Sequence, residues 1–465
     1  MAEAKDFFLS ETELANIFAT EVRDFVFSGY APQRDPVLVL LGGQPAAGKS
    51  QAMAAAEQRH ADRQLVPLTG DELRRFHPRY QELLETQPLL FPNATGQASG
   101  AWVRMSIEHA LDHGYSLMLE GIFRDPAMTV ATAERFARAG RSVEVIGLAV
   151  PEERSRLDSL HRYLAAGRWT PPNAHDLAIR MMPETIAAAE ASAAVRRITI
   201  TNRAAEELYV NERGPDGRWM GEPGAVQALM AGRARPLPAD EARGWLVRHR
   251  EVVIAFAGRA EIDDTSRPVL HQVTVDAESI AVMANPDPRS ALRSAHAGEL
   301  TVLRAVVSEP LTPRLPLRLL PGKELDTLHA RLKRGEDAAL RLSRPPEQRA
   351  VDAVRLLTEQ GASPELIARA RVSAAEDRQY AERRALAAAG RADRLGGLRR
   401  QVAAELQRRG QLPAGQRRAE ESVRRQLHDV LRPARRRTQA VPPPGLPAPR
   451  RKGPQHPPGG RGHAL

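Results

Sequence analysis

The chain has 465 residues, a formal net charge of +10 and no cysteine. Its length exceeds what one hydrophobic core usually organises, so we expect two or three structural units. Disulfides, thiolate metal sites and cysteine nucleophiles are excluded, a composition that suits a reducing cytoplasm. The N-terminal residues lack a signal-peptide pattern, and the apolar run 37–41 is far too short to span a bilayer. We therefore expect a cytoplasmic protein with no membrane partner.

The positive charge is concentrated in the C-terminal part. From Arg331 onward there are 30 basic and 14 acidic residues, whereas the preceding part holds 37 basic and 43 acidic residues. That first part is mildly acidic, and nothing in its overall charge indicates a nucleic-acid partner.

The first 202 residues or so alternate between helix and strand patterns. Ser10 to Glu13 has the form of a capping box and precedes apolar residues at helical spacing, which predicts an amphipathic helix. The run 37–41 is apolar throughout, as in a strand buried on both faces of a parallel sheet. Further strands are predicted at 64–68, 116–119, 143–150 and 198–201, and further helices at 51–59, 98–113, 129–139 and 178–195. This alternation predicts an α/β fold, with a mostly parallel sheet flanked by helices.

The later part of the chain has different patterns. Between 214 and 330 only scattered strand-like pieces stand out, such as 252–256 and 269–275, so we expect a mixed α/β region. From 331 to 430 the composition is rich in Ala, Arg, Glu and Leu and predicts a helical extension. After Asp429 there are eight basic residues, no acidic ones and several Pro-rich pieces, which predicts a disordered basic tail over 431–465.

The segment between the first strand and the following helix has the form Gly-x-x-x-x-Gly-Lys-Ser. It consists of Gly43, Gln44, Pro45, Ala46, Ala47, Gly48, Lys49 and Ser50. Glycine is needed where backbone N–H groups curl around phosphate oxygens, and the following helix adds the positive end of its dipole. Lys49 supplies a charge to the β- and γ-phosphates, and the Ser50 hydroxyl is a Mg²⁺ ligand. The pattern predicts a P-loop that binds a nucleoside triphosphate with Mg²⁺.

A P-loop binds the phosphate donor, so another group must activate the acceptor. Asp71 and Glu120 each follow a predicted strand, and loops at the carboxyl ends of parallel strands build such sites. Either carboxylate alone is equally well a helix cap or a surface residue. Arginines matter as well, because phosphoryl transfer requires neutralisation of charge on the transferred group. Spacing alone does not separate the candidates Arg124, Arg154, Arg156, Arg162 and Arg168.

In order along the chain, these motifs resemble the zeta toxin family of P-loop kinases. Residues 42–50 are similar to the family's P-loop, and 70–74 followed by 77–80 resemble its second motif, an Asp, an Arg and then His-Pro-x-Tyr. Residues 120–124 look like its Glu-Gly-Thr-x-Arg motif. Later positions also resemble the family's Arg-Tyr, Gly-Arg, His-Asp and Asn-Arg elements, at 162–163, 167–168, 175–176 and 202–203. The resemblance runs from about Ser10 to about Arg213, under half of the chain.

The resemblance implies a kinase that phosphorylates the 3′-hydroxyl of UDP-N-acetylglucosamine, with ATP or GTP as donor and Mg²⁺ as cofactor. Such an enzyme acts as the toxin of a toxin–antitoxin system, with an antitoxin protein as partner. Carried over by motif, Asp71 is the base that accepts the hydroxyl proton. The other catalytic residues are Lys49, Arg162 and Arg168, and the substrate-binding residues are Asp71, Arg74, Glu120 and Arg124.

The sequence departs from the family at position 122, which is Ile where the family usually has Thr. A lost hydroxyl removes a hydrogen bond that commonly contributes about 1 kcal/mol. The departure bears on the substrate more than on the reaction type.

Two other functions stay open from the sequence. One is a P-loop phosphotransferase that acts on another small hydroxylated molecule. The other is a nucleotide-regulated protein whose basic tail binds nucleic acid, which is not favoured because only one aromatic residue follows Arg331 to stack on bases. The predicted organisation is a kinase domain over 1–213, an uncertain mixed α/β region over 214–330 that either completes it or stands apart, a helical extension over 331–430 and the tail.

Overall fold

A six-stranded sheet organises the N-terminal part of the protein in the computed structural model, which describes residues 3–311, 315–343 and 349–439. The strands are β1 (Val37–Gly42), β2 (Leu65–Thr69), β3 (Ser116–Gly121), β4 (Ser142–Leu148), β5 (Arg197–Thr201) and β6 (Glu207–Glu212). Their order across the sheet is β2-β3-β1-β4-β5-β6. All neighbouring pairs are parallel except β5 and β6, which are antiparallel. The predicted α/β fold with a mostly parallel sheet is confirmed.

Strand β1 lies in the middle of the sheet and every residue of it is buried. Its odd-numbered side chains pack with Ala52 and Ala56 of the helix that follows, while Leu38 and Leu40 join the core on the other sheet face. A strand covered on both faces has no polar side, which explains the continuous apolar run in the sequence.

Ten helices surround the sheet in the part of the chain up to Ala191: α1 (Glu11–Ile17), α2 (Arg23–Phe27), α3 (Lys49–Arg59), α4 (Gly70–Leu73), α5 (Tyr80–Thr86), α6 (Phe91–Ala94), α7 (Gly96–His113), α8 (Pro126–Arg138), α9 (Glu152–Ala166) and α10 (Pro172–Ala191). The predicted capping box is present: the Ser10 hydroxyl accepts from the Glu13 backbone N–H, and Glu13 accepts from the Ser10 N–H. A π-helical turn, Phe18–Val22, joins α1 to α2.

The region after β6 is helical, so the expectation of strand-like pieces there is wrong. It forms α11 (Ala225–Arg233), α12 (Ala239–Arg259), α13 (Arg267–Ala284) and α14 (Ala291–Ser308). The segments 252–256 and 269–275 lie inside α12 and α13. In α12 the buried residues Trp245, His249, Val252 and Phe256 recur at helical spacing, and this period extends beyond the short β-branched window that suggested a strand.

The last described part consists of α15 (Gly322–Ser343), α16 (Arg349–Glu359), α17 (Pro364–Gln411) and α18 (Ala414–Gln439). Helix α15 packs along α17, and α18 returns to pack on α14 and α12. The predicted helical character of 331–430 is confirmed for the described residues. Helix α18 continues to Gln439, so disorder from 431 onward is wrong for 431–439, and the rest of the predicted tail lies outside the described residues.

Within the described ranges, no helix combines the length and apolar character that a bilayer crossing requires.

Candidate active site

The P-loop connects β1 to α3 at the carboxyl edge of the sheet. Gly48 has φ of +87° and Ala46 has φ of +60°, so two loop residues occupy the left-handed region. For Ala46 this conformation costs about 1 kcal/mol, which the surrounding contacts must offset. The loop is anchored by Gln44, a buried residue whose amide donates to the backbone oxygen of Val150 at 2.8 Å.

Lys49 and Ser50 are the first two residues of α3. The Lys49 ammonium donates to the Gly43 backbone oxygen at 3.0 Å and lies 3.3 Å from a carboxylate oxygen of Glu120. Ser50 is exposed on the same helical turn. Backbone N–H groups, an ammonium and a hydroxyl thus meet at a helix N-terminus, the donor set that suits a triphosphate with its Mg²⁺.

Glu120 reaches Lys49 because of strand register. Leu41 of β1 pairs with Glu120 of β3, and Thr69 of β2 pairs with Glu120 on the other side. The predicted juxtaposition of the two strand ends with the P-loop is therefore present. The Thr69 hydroxyl is buried and has no hydrogen-bond partner in the described part of the chain, so the site contains an unused donor beside Glu120.

Asp71 lies on α4, two residues after the end of β2, and contacts two arginines. Its Oδ1 accepts from Arg74 Nε at 3.1 Å, and its Oδ2 lies 3.6 Å from Arg162 Nη2 on α9. Partial burial acts to raise the pKa of Asp71, but Arg74, Arg162 and Lys49 together outweigh it and lower that pKa below its ordinary value. The side chain stays half exposed, so an ionised carboxylate faces the solvent side of the site.

Arg74 is held in place as well as paired. Its Nη1 donates to the Pro92 backbone oxygen at 2.7 Å and to the Thr95 hydroxyl at 2.6 Å, while its Nε faces Asp71. A guanidinium with three acceptors on two sides has little freedom. We infer that Arg74 orients the Asp71 carboxylate.

The five candidate arginines separate by their partners. Arg154 pairs with Glu241 of α12 at 2.6 Å, and Arg156 is buried in an ion pair with Asp276 of α13, so both hold helices together. Arg162, one helical turn or more further along α9, contacts Asp71. Spacing in the sequence does not distinguish these three, whereas the direction of each side chain does.

Arg124 and Arg168 are exposed, and neither forms a hydrogen bond or ion pair with the residues that the structure describes. Arg168 follows Gly167, which ends α9 with φ of +68°. Arg124 follows Phe123, a positive-φ residue at +50°. The structure does not bring either side chain into contact with Asp71 or Lys49, so their predicted roles stay predictions.

The roles of Arg203 and Asp158 at the site were not predicted from the sequence. Arg203 Nη1 donates to the Ala46 backbone oxygen at 3.2 Å and to Asp158 Oδ2 at 2.6 Å. The only signal for Arg203 was its place in the Asn-Arg element, and Asp158 has no motif around it. Both are positioned by helix α9 and the end of β5, far apart in the chain.

A metal held by these residues would have few protein ligands. In the described ranges, no group of three or more His, Asp and Glu side chains could hold a metal ion. Mg²⁺ in phosphotransferases is bound by one or two protein groups together with substrate phosphates. The exposed Ser50 hydroxyl next to Lys49 fits that kind of site.

Comparison with known proteins identifies the part of the chain that carries this site. Residues 23–214 match the model of the family described as Zeta toxin. This segment is similar to the zeta toxin family. It includes the P-loop, Asp71, Glu120 and every arginine discussed above, so the resemblance predicted from the motifs is confirmed.

Curated relatives match the same part of the chain. Toxin zeta of Enterococcus hirae is 26% identical over 39% of this chain and 65% of its own length. Toxin PezT of Streptococcus pneumoniae serotype 4 is 26% identical over 43% of this chain and 81% of its own length. The chain thus spans about two thirds of the Enterococcus relative that it matches.

Two solved structures are similar to the chain. A structure of the PezAT chromosomal toxin–antitoxin system of Streptococcus pneumoniae is 20% identical, with a TM-score of 0.45, over 54% of this chain and 99% of that one. The AvrRxo1-ORF1:-ORF2 complex is 15% identical, with a TM-score of 0.32, over 61% and 83%.

The packing of Phe123 against β1 gives a test of how the Glu120 loop is held. A Cβ added to Gly42 lies 2.1 Å from the Phe123 ring, so Gly42→Ala forces the ring and its positive-φ backbone to move. We expect a destabilisation of about 1–3 kcal/mol in urea unfolding. Gly100→Ala in α7 is the matched control, since nothing lies within 4 Å of its added Cβ, and it should be stabilising. Equal stabilities for the two variants would contradict this account.

Proposed function

We propose that this protein is a Mg²⁺-dependent kinase that transfers the γ-phosphoryl group of ATP or GTP to the 3′-hydroxyl of UDP-N-acetylglucosamine, as the toxin of a toxin–antitoxin system. The observation that carries the proposal is the Asp71 carboxylate, which lies between Arg74 and Arg162 at the sheet edge that bears the P-loop. The charge of Lys49 in the P-loop acts on the Asp71 carboxylate, which supports placing the acceptor hydroxyl between Asp71 and the γ-phosphate. The match of residues 23–214 to the zeta toxin family supports the same reaction class.

The proposed reaction is an in-line displacement. The acceptor oxygen forms a bond to the γ-phosphorus, the bond from that phosphorus to the β–γ bridging oxygen breaks, and the nucleoside diphosphate leaves. The hydroxyl proton passes to the Asp71 carboxylate. Ser50 would hold Mg²⁺ together with phosphate oxygens, and the ion would supply neutralising charge. Lys49 and Arg162 add their own charge as negative charge spreads over the transferred group.

The lowered pKa of Asp71 fits such a reaction. A carboxylate with a low pKa is a weak base, and it removes a proton only late in the displacement. Phosphoryl transfer passes through a loose transition state in which the acceptor is only slightly bonded, so early deprotonation is not required. The ion pairs of Asp71 with Arg74 and Arg162 then serve to keep it ionised and oriented.

Ile122 favours a second candidate function, transfer to another small hydroxylated molecule. It follows Gly121 in the Glu120–Arg124 loop and is partly buried. An apolar side chain at this place cannot form the hydrogen bond that a Thr hydroxyl forms. Under this alternative the nucleotide chemistry is unchanged and only the acceptor differs.

The proposal also needs a partner that restrains the enzyme in the cell. The relatives are named toxins, and one solved structure is described as a toxin–antitoxin system. We therefore include an antitoxin that covers the nucleotide site. Nucleic-acid binding by the basic tail stays a prediction, since most of the tail lies outside the described residues.

Asp71→Asn tests the base. We expect ATP turnover in the presence of UDP-N-acetylglucosamine and Mg²⁺ to fall by about 10²-fold or more, because the amide cannot accept the proton. Lys49→Ala should abolish turnover through loss of phosphate binding, and Glu134→Gln on the exposed face of α8 should have no effect. If UDP-N-acetylglucosamine does not raise ATP turnover by the unsubstituted protein, the acceptor is another molecule. Cells that express the unsubstituted protein or Glu134→Gln should grow poorly, whereas cells that express Asp71→Asn or Lys49→Ala should grow better.

The pH dependence of Arg162→Ala tests whether Arg162 lowers the pKa of Asp71. In the unsubstituted protein the pKa of Asp71 is lowered, so the carboxylate stays ionised as pH falls and kcat/KM declines only in strongly acidic solution. Removing Arg162 takes away one lowering charge, so the acidic limb of the pH profile should move to higher pH. Arg168→Ala, which has no contact with Asp71, should leave that limb in place. An unmoved limb in Arg162→Ala would refute the role of this ion pair.

A further inference from the structure

Helix α12 lies outside the matched segment 23–214 and packs directly on α9, the helix that carries Arg162. The Trp245 indole donates to the Glu153 backbone oxygen at 3.0 Å, and Glu241 pairs with Arg154 at 2.6 Å. Further along, Phe256 joins Tyr163 and Trp169 in one aromatic cluster. Helix α9 of the matched segment is therefore the element on which the following helices pack.

A chain of contacts runs from α12 to the P-loop through Asp158 of α9. One carboxylate oxygen of Asp158 lies 3.1 Å from Arg248 of α12, and the other accepts from Arg203 at 2.6 Å. The carboxylate is nearly buried, at 10% exposure, so it has few solvent partners to replace either arginine. Its orientation depends on both.

Arg203 in turn supports the P-loop backbone. Its guanidinium donates to the Ala46 oxygen at 3.2 Å, and its Cγ lies 2.9 Å from the position of a Cβ on Gly48. These are the two loop residues with positive φ. Arg203 thus lies against the part of the loop whose conformation is strained and on which phosphate binding depends.

We propose that Arg248 is a positioning residue for nucleotide binding: it fixes the Asp158 carboxylate, which holds Arg203 against the P-loop in the conformation that accepts a triphosphate. This proposal rests on the proposed nucleotide-binding function and deepens it. It makes the nucleotide site dependent on a helix that the family match does not include. The preorganised loop binds phosphate without first having to order itself.

The test is titration of the full chain with ATP and Mg²⁺. Arg248→Ala should weaken binding by about fivefold, the scale of one partly exposed ion pair. Arg203→Ala should weaken it at least as much, and adding Arg248→Ala to Arg203→Ala should cause no further loss, because both act along one chain of contacts. Glu241→Gln is the matched control: it removes the other ion pair between α9 and α12 and should bind ATP normally.

Arg248→Gln separates positioning from charge, and Arg203→Ala tests the same chain of contacts if Arg248→Ala does not fold. The amide of Arg248→Gln can still donate to Asp158 but carries no charge, so this variant should retain most of the affinity. Normal binding by Arg248→Ala, an equal loss in the Arg203→Ala background, or an equal loss in Glu241→Gln would each overturn the proposal. Failure of the unsubstituted chain to bind ATP would instead overturn the nucleotide-binding function itself, and this proposal with it.

Discussion

The parallel pairing of β1 with β3 is the constraint on which the rest of the site depends. It places Leu41 beside Glu120 and Gly42 beside Gly121, so the P-loop and the Glu120 loop leave the sheet together. The pairing of β2 with β3 then brings Thr69, and Asp71 just after it, to the same edge. A shift of one residue between β1 and β3 would turn Glu120 to the other sheet face and remove it from Lys49, and a shift between β2 and β3 would displace Asp71.

The three cations at this edge share two carboxylates within the protein. Lys49 pairs with Glu120, and Asp71 pairs with Arg74 and Arg162. Each of these cations therefore has a carboxylate partner. An incoming triphosphate must compete with those carboxylates for the cations. Ion pairs at partly exposed positions are weak, so phosphate oxygens can take over Lys49 without a large penalty.

Helix α9 connects the candidate active site to the helices that follow the sheet. One side carries Arg162 towards Asp71, while Arg154 and Arg156 bind the following helices through Glu241 and Asp276. Burial acts to lower the pKa of Arg156, but Asp276 and Glu152 outweigh it and raise that pKa, while burial raises the pKa of Asp276. Helices α12 and α13 are therefore both tied to α9 by ion pairs.

The sequence by itself determined the P-loop, the buried central strand and the order of the zeta toxin motifs, because each depends on residues adjacent in the chain. Gly48 is explained by its positive φ, and the apolar run 37–41 is explained by burial of the strand on both faces. Only the tertiary structure decided which arginine faces Asp71, since Arg154, Arg156 and Arg162 share one helix and differ only in direction. It also decided that 252–256 and 269–275 are helical, because these short β-branched windows fit a strand as well as a helix and packing selects the longer helical period. Arg203 contacts the P-loop and Asp158 contacts Arg203, although the three lie far apart in the sequence. A local sequence pattern cannot predict such contacts, because only the packing of the folded chain brings these residues together.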